Sequence, residues 1–202
     1  MNPEIWNVRY AAVDLVWGAE PNRFVAEAFA HREPAGRALD LACGEGRNAI
    51  WLAKHGWQVT AIDYADVAVE RGRDLARREG SEVEWCCADI TSYEPEAGAF
   101  SLVLVSYLQV PKADLRRALE NARVALAPRG ELFMIGHALR NLEAGVGGPQ
   151  QPSVLWDPGE LIETLTDLGL AVDSCAEVLR AVVQGDDVRQ AIDVQAIARR
   201  VS

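Results

Sequence analysis

The sequence has no segment that would hold the protein in a membrane or direct it to secretion. Within its 202 residues, no apolar run approaches the roughly 20 residues that a helix needs to cross a bilayer. Residues 1–10 also lack the basic start and the apolar stretch of a secretory signal. We therefore expect a cytoplasmic protein with no membrane partner.

Cysteines and basic residues are also scarce. The four cysteines show no CxxC spacing, so we predict neither a metal site nor a disulfide framework. Lysine and arginine together number 20 against 30 aspartates and glutamates, which gives a formal net charge of −10. A protein that binds a phosphate backbone normally carries a basic face, so we expect no nucleic-acid partner.

Short apolar runs rich in β-branched residues alternate with amphipathic stretches along most of the chain. The predicted strands are residues 37–42, 58–63, 82–88, 100–106, 131–136, 172–183 and 191–198. The predicted helices are residues 24–32, 47–55, 67–78, 112–126 and 158–168. This order predicts an α/β fold, a Rossmann-like, doubly wound, seven-stranded and mostly parallel sheet that ends in an antiparallel hairpin.

The turn after the first predicted strand carries the strongest local signal, D-L-A-C-G-E-G-R-N-A at residues 40–49. Gly44 and Gly46 stand where a strand must turn sharply into a helix, and a missing Cβ lets a ligand approach the backbone. The spacing also fits the dinucleotide pattern G-x-G-x-x-A, so the glycines alone allow either NAD or S-adenosylmethionine.

Asp40 favours S-adenosylmethionine over NAD. It ends the first strand, close to where the pyrophosphate of a dinucleotide would rest on the helix N-terminus. A carboxylate there would repel the two phosphate charges, whereas it would attract the ammonium and the sulfonium of S-adenosylmethionine.

Two further acids end the next two strands. Asp63 can accept hydrogen bonds from both ribose hydroxyls, and Asp89 can accept one from the adenine amine. Because the carboxyl ends of parallel strands meet at one edge of the sheet, we expect all three acids to line one crevice.

These residues resemble the motifs of class I S-adenosylmethionine-dependent methyltransferases over nearly the whole chain. Residues 40–48 are similar to their glycine-rich first motif, I-D-Y at 62–64 to the ribose-binding motif, and A-D-I at 88–90 to the adenine-binding segment. L-A-P-R-G-E-L at 126–132 resembles L-x-P-G-G-x-L, with Arg129 in place of the first glycine. The resemblance implies S-adenosylmethionine as cofactor, S-adenosylhomocysteine as product, and cofactor contacts from Asp40, Cys43, Gly44, Gly46, Asn48, Asp63, Tyr64, Asp89, Ile90 and Ser106.

The N-terminal segment carries W-x-x-x-Y at 6–10, V-W-G at 16–18 and E-P-N at 20–22, and C-G-x-G-R-N follows at 43–48. These motifs resemble the arm and the core of the small tellurite-resistance and thiopurine S-methyltransferase group. This resemblance implies that Trp6, Tyr10 and Trp17 close the cofactor pocket, where an aromatic face suits a sulfonium. The tellurite-type pattern has a His-Arg pair after the sixth strand, and this sequence has Leu179-Arg180 instead. The departure speaks against the same substrate. Arg180 could still face an anionic acceptor, but a surface position is its expected role.

Methyl transfer is an in-line displacement that needs a base only when the acceptor arrives protonated. His137, which follows the fifth strand, is the best-placed general base near neutral pH, and Tyr107, after the fourth strand, is the second candidate catalytic residue. The glycine-rich loop 141–152 is a candidate lid over the acceptor.

We therefore expect one methyltransferase domain over residues 1–202, with residues 1–32 as an arm and helix that cover the cofactor. The expected acceptor is a small molecule with a sulfur, oxygen or nitrogen nucleophile, and the expected assembly is a monomer or weak homodimer. Two alternatives stay open. One is a module that binds S-adenosylmethionine without catalysis, and the other is an NAD(P)-dependent oxidoreductase, although no hydride-transfer machinery such as Tyr-x-x-x-Lys is found.

Overall fold

The computed structural model describes residues 3–13, 15–16, 18–185 and 187–201. In this part of the chain, seven strands form one sheet in the order β3-β2-β1-β4-β5-β7-β6. The strands are β1 (Arg37–Leu41), β2 (Gln58–Asp63), β3 (Val83–Cys87), β4 (Phe100–Ser106), β5 (Leu126–His137), β6 (Leu170–Gln184) and β7 (Asp187–Arg200). The first five are parallel to one another, and β7 runs antiparallel to both β5 and β6. The predicted fold class is confirmed.

The helices of the described residues lie mainly in the crossovers between the strands. They are α1 (Pro3–Ala12), α2 (Arg23–Phe29), α3 (Arg47–Lys54), α4 (Asp66–Arg78), α5 (Lys112–Ala125), α6 (Asn141–Ala144) and α7 (Pro158–Asp167), and a 3₁₀ turn spans Pro152–Val154. None of them is long and apolar enough to cross a bilayer. The sequence patterns missed α1 and α6, because α1 has little amphipathic periodicity and α6 is a single turn.

Two apolar clusters fill the space on either side of the sheet. One contains buried residues of α5 and α7, and the other contains buried residues of α2 and α3. Strand β4 is apolar nearly throughout because it lies between these clusters, and its bounds, like those of β2, match the prediction. The sheet is therefore covered on both faces, and its edge strands are β3 and β6.

Strand β5 begins five residues earlier than predicted, at Leu126. Its pairing with β4 shifts register between Phe100 and Leu102, and Arg129 has φ +64° within this irregular stretch. A left-handed backbone is easiest for glycine, which is the residue that the L-x-P-G-G-x-L pattern carries at this position. The structure thus gives the physical reason for that preference, and Arg129 adopts the conformation despite its Cβ.

The strand order reverses at β1, which pairs with β2 on one side and with β4 on the other. Crossovers on either side of such a point lead away from each other, and a crevice is left beyond the carboxyl ends of the strands. This topology fixes where the candidate site lies.

The indole of Trp85 on β3 packs against two glycines of neighbouring segments. A Cβ built on Gly72 of α4 would lie 2.4 Å from Trp85 Cη2, and one built on Gly46, before α3, would lie 2.1 Å from the same atom. Neither site has room for a methyl group, so these glycines bring α4 and the β1–α3 turn together over the ring.

We predict that Gly72→Ala destabilises the protein, although alanine is the better helix former by about 1 kcal/mol. The added methyl group must displace the indole or the backbone oxygen of Glu45, so the free energy of unfolding should fall by about 1–3 kcal/mol. Urea denaturation measures this change. Gly72→Ala should cost much less when it is introduced into Trp85→Leu, and a Gly72→Ala variant as stable as the wild type would contradict the packing argument.

Candidate active site

A cavity of about 820 Å³ opens at the carboxyl ends of β1, β2, β4 and β5. Twelve predicted site residues line it: Trp6, Tyr10, Asp40, Cys43, Gly44, Asn48, Asp63, Tyr64, Ile90, Ser106, Tyr107 and His137. Gly46 and Asp89 are not among the lining residues, and Trp17 lies outside the described residues. The volume falls within the range of about 300–1,000 Å³ that small-molecule sites occupy.

The β1–α3 turn forms one wall of this cavity through left-handed backbone. Ala42, Gly44 and Gly46 all have positive φ, at 59°, 57° and 74°. The backbone N–H of Gly44 donates to Asp63 Oδ2 at 2.8 Å, which ties the turn to the end of β2. Gly44 faces the cavity as predicted, whereas Gly46 faces Trp85, so its missing Cβ serves packing and not the approach of a ligand.

Asp40 is buried at the end of β1, and neither side-chain oxygen makes a hydrogen bond of good geometry with a described donor. Burial raises the pKa of this carboxyl to about 8, and the charge of Asp63 acts in the same direction. The Arg47 guanidinium and the Ala49 amide oppose the shift more weakly. A buried acid that lacks partners is costly unless a ligand completes its interactions, and a cation would do so.

Asp63 differs from Asp40 because backbone N–H groups already donate hydrogen bonds to both of its carboxylate oxygens. Gly44 donates to Oδ2 at 2.8 Å, and Ala65 donates to Oδ1 at 2.9 Å. Burial still raises its pKa, and these hydrogen bonds limit the rise. Each carboxylate oxygen can accept a second hydrogen bond, so hydroxyls of a ligand can still bind. Beside it, Tyr64 also lines the cavity.

Asp89 lies beside the cavity and does not line it. Its Oδ1 accepts hydrogen bonds from the backbone N–H of Thr91 at 2.9 Å and from the Thr91 hydroxyl at 2.8 Å. The next residue, Ile90, is buried and does line the cavity. The structure therefore gives Ile90 the lining position and uses Asp89 to shape the loop.

Two polar side chains that follow β4 also lack partners. Ser106 Oγ and both polar atoms of the Gln109 side chain are buried without a hydrogen bond from the described residues, and both residues line the cavity. With Asp40, they make three unsatisfied polar side chains on one wall. Buried polar groups are nearly always hydrogen-bonded in folded proteins, so this wall is built to meet a polar ligand.

The described part of the N-terminal arm contributes to the cavity through α1, whose Trp6 and Tyr10 line it with ring centroids 5.8 Å apart. The β1–α3 turn fastens this arm. Glu45 Oε2 accepts the backbone N–H of Val16 at 2.8 Å, and Asn48 Oδ1 accepts the backbone N–H of Asn22 at 2.8 Å. Asn48 therefore has a partner in the arm, in addition to its place on the cavity wall.

His137 and Tyr107 meet at a carboxylate that the sequence patterns did not single out. Asp193 on β7 is fully buried, and its Oδ1 accepts a hydrogen bond from His137 Nδ1 at 2.9 Å. Its Oδ2 accepts from the Tyr107 hydroxyl and from Arg180 Nε, each at 2.7 Å. Arg180 lies within β6 and lines the cavity, so the surface position expected for it is wrong.

The pKa values of this cluster follow from these contacts. Burial raises the pKa of Asp193, but the hydrogen bonds from His137, Arg180 and Tyr107 outweigh it, and the net shift is downward. Burial and the adjacent Asp193 raise the pKa of Tyr107. The carboxylate is therefore ionised and the phenol keeps its proton, so Tyr107 donates to Asp193 and does not serve as a base.

The sequence carries only a weak signal for the role of Asp193 and for its contacts. Asp193 stands among Ala191, Ile192 and Val194 in a predicted strand, and an acid in an apolar run is unusual because acids are rarely buried without a partner. That pattern could have marked Asp193, but it could not have named His137 or Arg180 as its partners. Among the described residues, no group of three or more His, Cys, Asp or Glu side chains is arranged to hold a metal ion.

Comparison with known proteins identifies a methyltransferase domain model that matches residues 38–130. The ubiquinone biosynthesis O-methyltransferase of Coxiella burnetii is 28% identical over 95 residues, which are 47% of this chain and 41% of that protein. The ribosomal RNA small subunit methyltransferase C of Alcanivorax borkumensis is 28% identical over 107 residues, 50% of this chain and 32% of that protein. The matches thus span less than half the length of these curated relatives.

Solved structures resemble the chain over most of its length. A structure from work on the conversion of a disulfide bond into a thioacetal group during echinomycin biosynthesis has a TM-score of 0.80 at 22% identity, with 98% of this chain and 92% of that chain covered. A SAM-dependent methyltransferase from Methanosarcina mazei has a TM-score of 0.70 at 17% identity, with coverages of 90% and 99%. Residues 38–130 thus match a methyltransferase domain, within a chain whose fold is similar to that of a SAM-dependent methyltransferase of known structure.

Proposed function

We propose that the protein is an S-adenosylmethionine-dependent methyltransferase that acts on a small-molecule acceptor. The observation that carries the proposal is Asp40, a buried carboxyl that lines a large cavity and makes no hydrogen bond of good geometry with the described residues. A ligand with a positive charge and no phosphates suits such a carboxyl, and the fold and the matched domain agree with that ligand.

Other residues that line the cavity fit the rest of this cofactor. The free acceptor positions of Asp63 suit the two ribose hydroxyls, and buried Ile90 offers an apolar face for the adenine. Trp6 and Tyr10 suit the sulfonium because a cation is attracted to an aromatic face. When bound, S-adenosylmethionine supplies an activated methyl group on its sulfonium.

The chain's own contribution to catalysis is to position the acceptor and to exclude water. The arm closes one side of the cavity, and Val146, Gly147, Gly148 and Pro149 line another side, where they support the interpretation of loop 141–152 as a lid. Holding the acceptor in line with the departing sulfur can lower the barrier by about 7–11 kcal/mol at most. His137 reaches the cavity from β5 and is the residue that we assign to take a proton from the acceptor.

A small acceptor fits the enclosed cavity better than a nucleic acid does. The chain as a whole carries a net charge of −10, which disfavours the approach of the phosphate backbone of an RNA or DNA substrate. According to their names, the matched relatives act on different acceptors. The shared segment therefore supports a common cofactor and does not indicate the acceptor. Membership of the tellurite-resistance and thiopurine group rests on the arm and is part of this proposal.

Binding and transfer experiments test the proposal directly. S-adenosylhomocysteine should raise the melting temperature of the protein, and NADH should not. Radiolabelled S-adenosylmethionine should transfer its methyl group to a member of a panel of phenols, thiols, amines and oxyanions. Binding without any transfer would favour the non-catalytic module, and tight binding of NADH alone would favour the oxidoreductase.

Asp63→Asn should weaken S-adenosylhomocysteine binding about ten- to hundredfold, because a hydrogen bond to a charged group contributes about 1.5–3 kcal/mol. Isothermal titration calorimetry measures the dissociation constant. The matched control is Asp66→Asn, three residues along the chain and exposed at the start of α4. Equal affinity in the two variants would mean that the ribose does not bind Asp63.

Without ligand, Asp40→Asn should be more stable than the wild type, and the difference should grow as the pH rises. The ordinary pKa of the carboxyl is 3.8 and the folded value is about 8, so between these values the folded protein binds the extra proton. Wild-type stability is therefore lost as the pH rises through this window. The melting temperature of Asp40→Asn should equal that of the wild type near pH 4 and exceed it increasingly up to about pH 8.

The same carboxyl should release about one proton when S-adenosylmethionine binds at pH 7, because a bound cation favours its ionised form. Calorimetry in buffers of different ionisation enthalpy counts this proton, and Asp40→Asn should release none. The control is Glu94→Gln, an exposed acid whose substitution should leave both measurements unchanged. Proton release that is equal in Asp40→Asn and the wild type would contradict the role of Asp40.

His137→Ala should lower turnover at neutral pH about a hundredfold, the usual contribution of a positioned general base. Its affinity for S-adenosylhomocysteine should stay close to that of the wild type, because the imidazole is assigned to the acceptor. His55→Ala removes an exposed imidazole at the end of α3 and serves as the control. Unchanged turnover in His137→Ala would remove this residue from the mechanism.

A further inference from the structure

Asp193 is held opposite His137 by the register of two strands. His137 ends β5, and the antiparallel ladder pairs it with Asp193 of β7. Residues that face each other across such a ladder have their side chains within reach, and the Nδ1–Oδ1 distance is 2.9 Å. The contact is therefore fixed by main-chain hydrogen bonds and does not depend on a flexible loop.

The other contacts of Asp193 decide which nitrogen of His137 carries the proton. Tyr107 and Arg180 both donate to Oδ2, and Asp193 is ionised, so Oδ1 can only accept. Nδ1 of His137 must then be the donor, and in the neutral imidazole this leaves the lone pair on Nε2. No hydrogen bond to Nε2 is made by the described residues, and His137 lines the cavity.

The imidazole ring is also packed on two sides. Tyr107 meets it at an interplanar angle of 60° with ring centroids 4.8 Å apart. On another side, a Cβ built on Gly148 would lie 3.1 Å from three atoms of the ring, so the ring occupies the space that glycine leaves. Packing and hydrogen bonding together give His137 one orientation, which is what a general base requires.

Charge in the cavity selects among protonated acceptors. Arg180 lines the cavity and approaches the Tyr107 ring to 5.7 Å, and Arg47 lines the same cavity. Asp40, Glu45 and Asp63 line the cavity as well, but Arg47 and Arg180 lie close enough to Tyr107, which packs against His137, for their charges to act there. Beside His137 these guanidinium groups disfavour an acceptor that arrives as an ammonium ion, and they favour one that develops negative charge as it loses a proton. Hydroxyl and thiol groups meet this requirement.

We propose that Asp193 is a positioning residue that holds His137 with Nε2 towards the cavity, and that the acceptor is an alcohol, phenol or thiol. This inference rests on the proposed function. The acceptor oxygen or sulfur gives its proton to Nε2 and forms the new bond to the methyl carbon, while the electron pair of the carbon–sulfur bond goes to the departing sulfur. His137 later returns the proton to solvent.

Long-range ¹H–¹⁵N NMR spectra of the histidine side chains test the positioning without any turnover. We expect the Nδ1–H tautomer for His137 in the wild-type protein, and His137→Gln assigns its signals among those of the three histidines. An Nε2–H tautomer in the wild type would overturn the inference. This measurement needs no variant of Asp193.

Asp193→Asn sharpens the test, because Tyr107 and Arg180 hold the amide oxygen at the Oδ2 position and turn the amide nitrogen towards His137. His137 should then switch to the Nε2–H tautomer. The matched control is Asp173→Asn, which removes an exposed carboxylate paired with Arg199 on the same hairpin and should leave the tautomer unchanged. An unchanged tautomer in folded Asp193→Asn would contradict the role of Asp193, and if this variant does not fold, the wild-type spectrum decides.

The acceptor class is tested by binding to the complex with S-adenosylhomocysteine. Catechol should bind and shift the imidazole signals of His137, whereas benzylamine, a cation at neutral pH, should bind at least tenfold more weakly. Equal or tighter binding of benzylamine, or no binding of catechol, would overturn the acceptor class. Failure of S-adenosylhomocysteine itself to bind would count against the proposed function and leave the tautomer result standing.

Discussion

The burial of Asp40 is the constraint on which the candidate site depends. Strand β1 lies inside the sheet, so the carboxyl at its end loses water without gaining a hydrogen bond of good geometry. Its neighbour Asp63 is equally enclosed but is served by the backbone amides of Gly44 and Ala65. One acid is thus satisfied within the protein, whereas the other is left for a ligand to satisfy. A carboxyl in this position attracts a cation and repels a pyrophosphate, which is the basis of the proposed cofactor.

The β1–α3 turn connects the part of the cavity that carries Asp40 and Asp63 to the N-terminal arm. Glu45 and Asn48 accept backbone hydrogen bonds from residues of the arm, while Gly44 reaches the end of β2. Trp85 supports the turn from the other side by packing against Gly46. One short segment, residues 44–48, thus makes hydrogen bonds both to the N-terminal arm and to the end of β2.

The C-terminal hairpin contributes a second group of polar residues to the cavity and its surroundings. Strand β7 lies between β5 and β6, so its central residues face both neighbours. Asp193 thereby meets His137 from β5 and Arg180 from β6, and Tyr107 reaches it from the segment after β4. A buried carboxylate with three donors is satisfied and rigid, which keeps the imidazole in one orientation.

The sequence by itself determined the fold class, the bounds of β2 and β4, and the cavity-lining positions of Asp40, Gly44 and Asp63. These features depend on local periodicity, on turn chemistry and on the rule that parallel strands end at one edge. Only the tertiary structure decided that Asp193 joins His137 across 56 positions of sequence, that Arg180 lines the cavity, and that Asp89 does not. Strand register and side-chain packing between distant segments set these relations, and neither leaves a periodic signal in the chain.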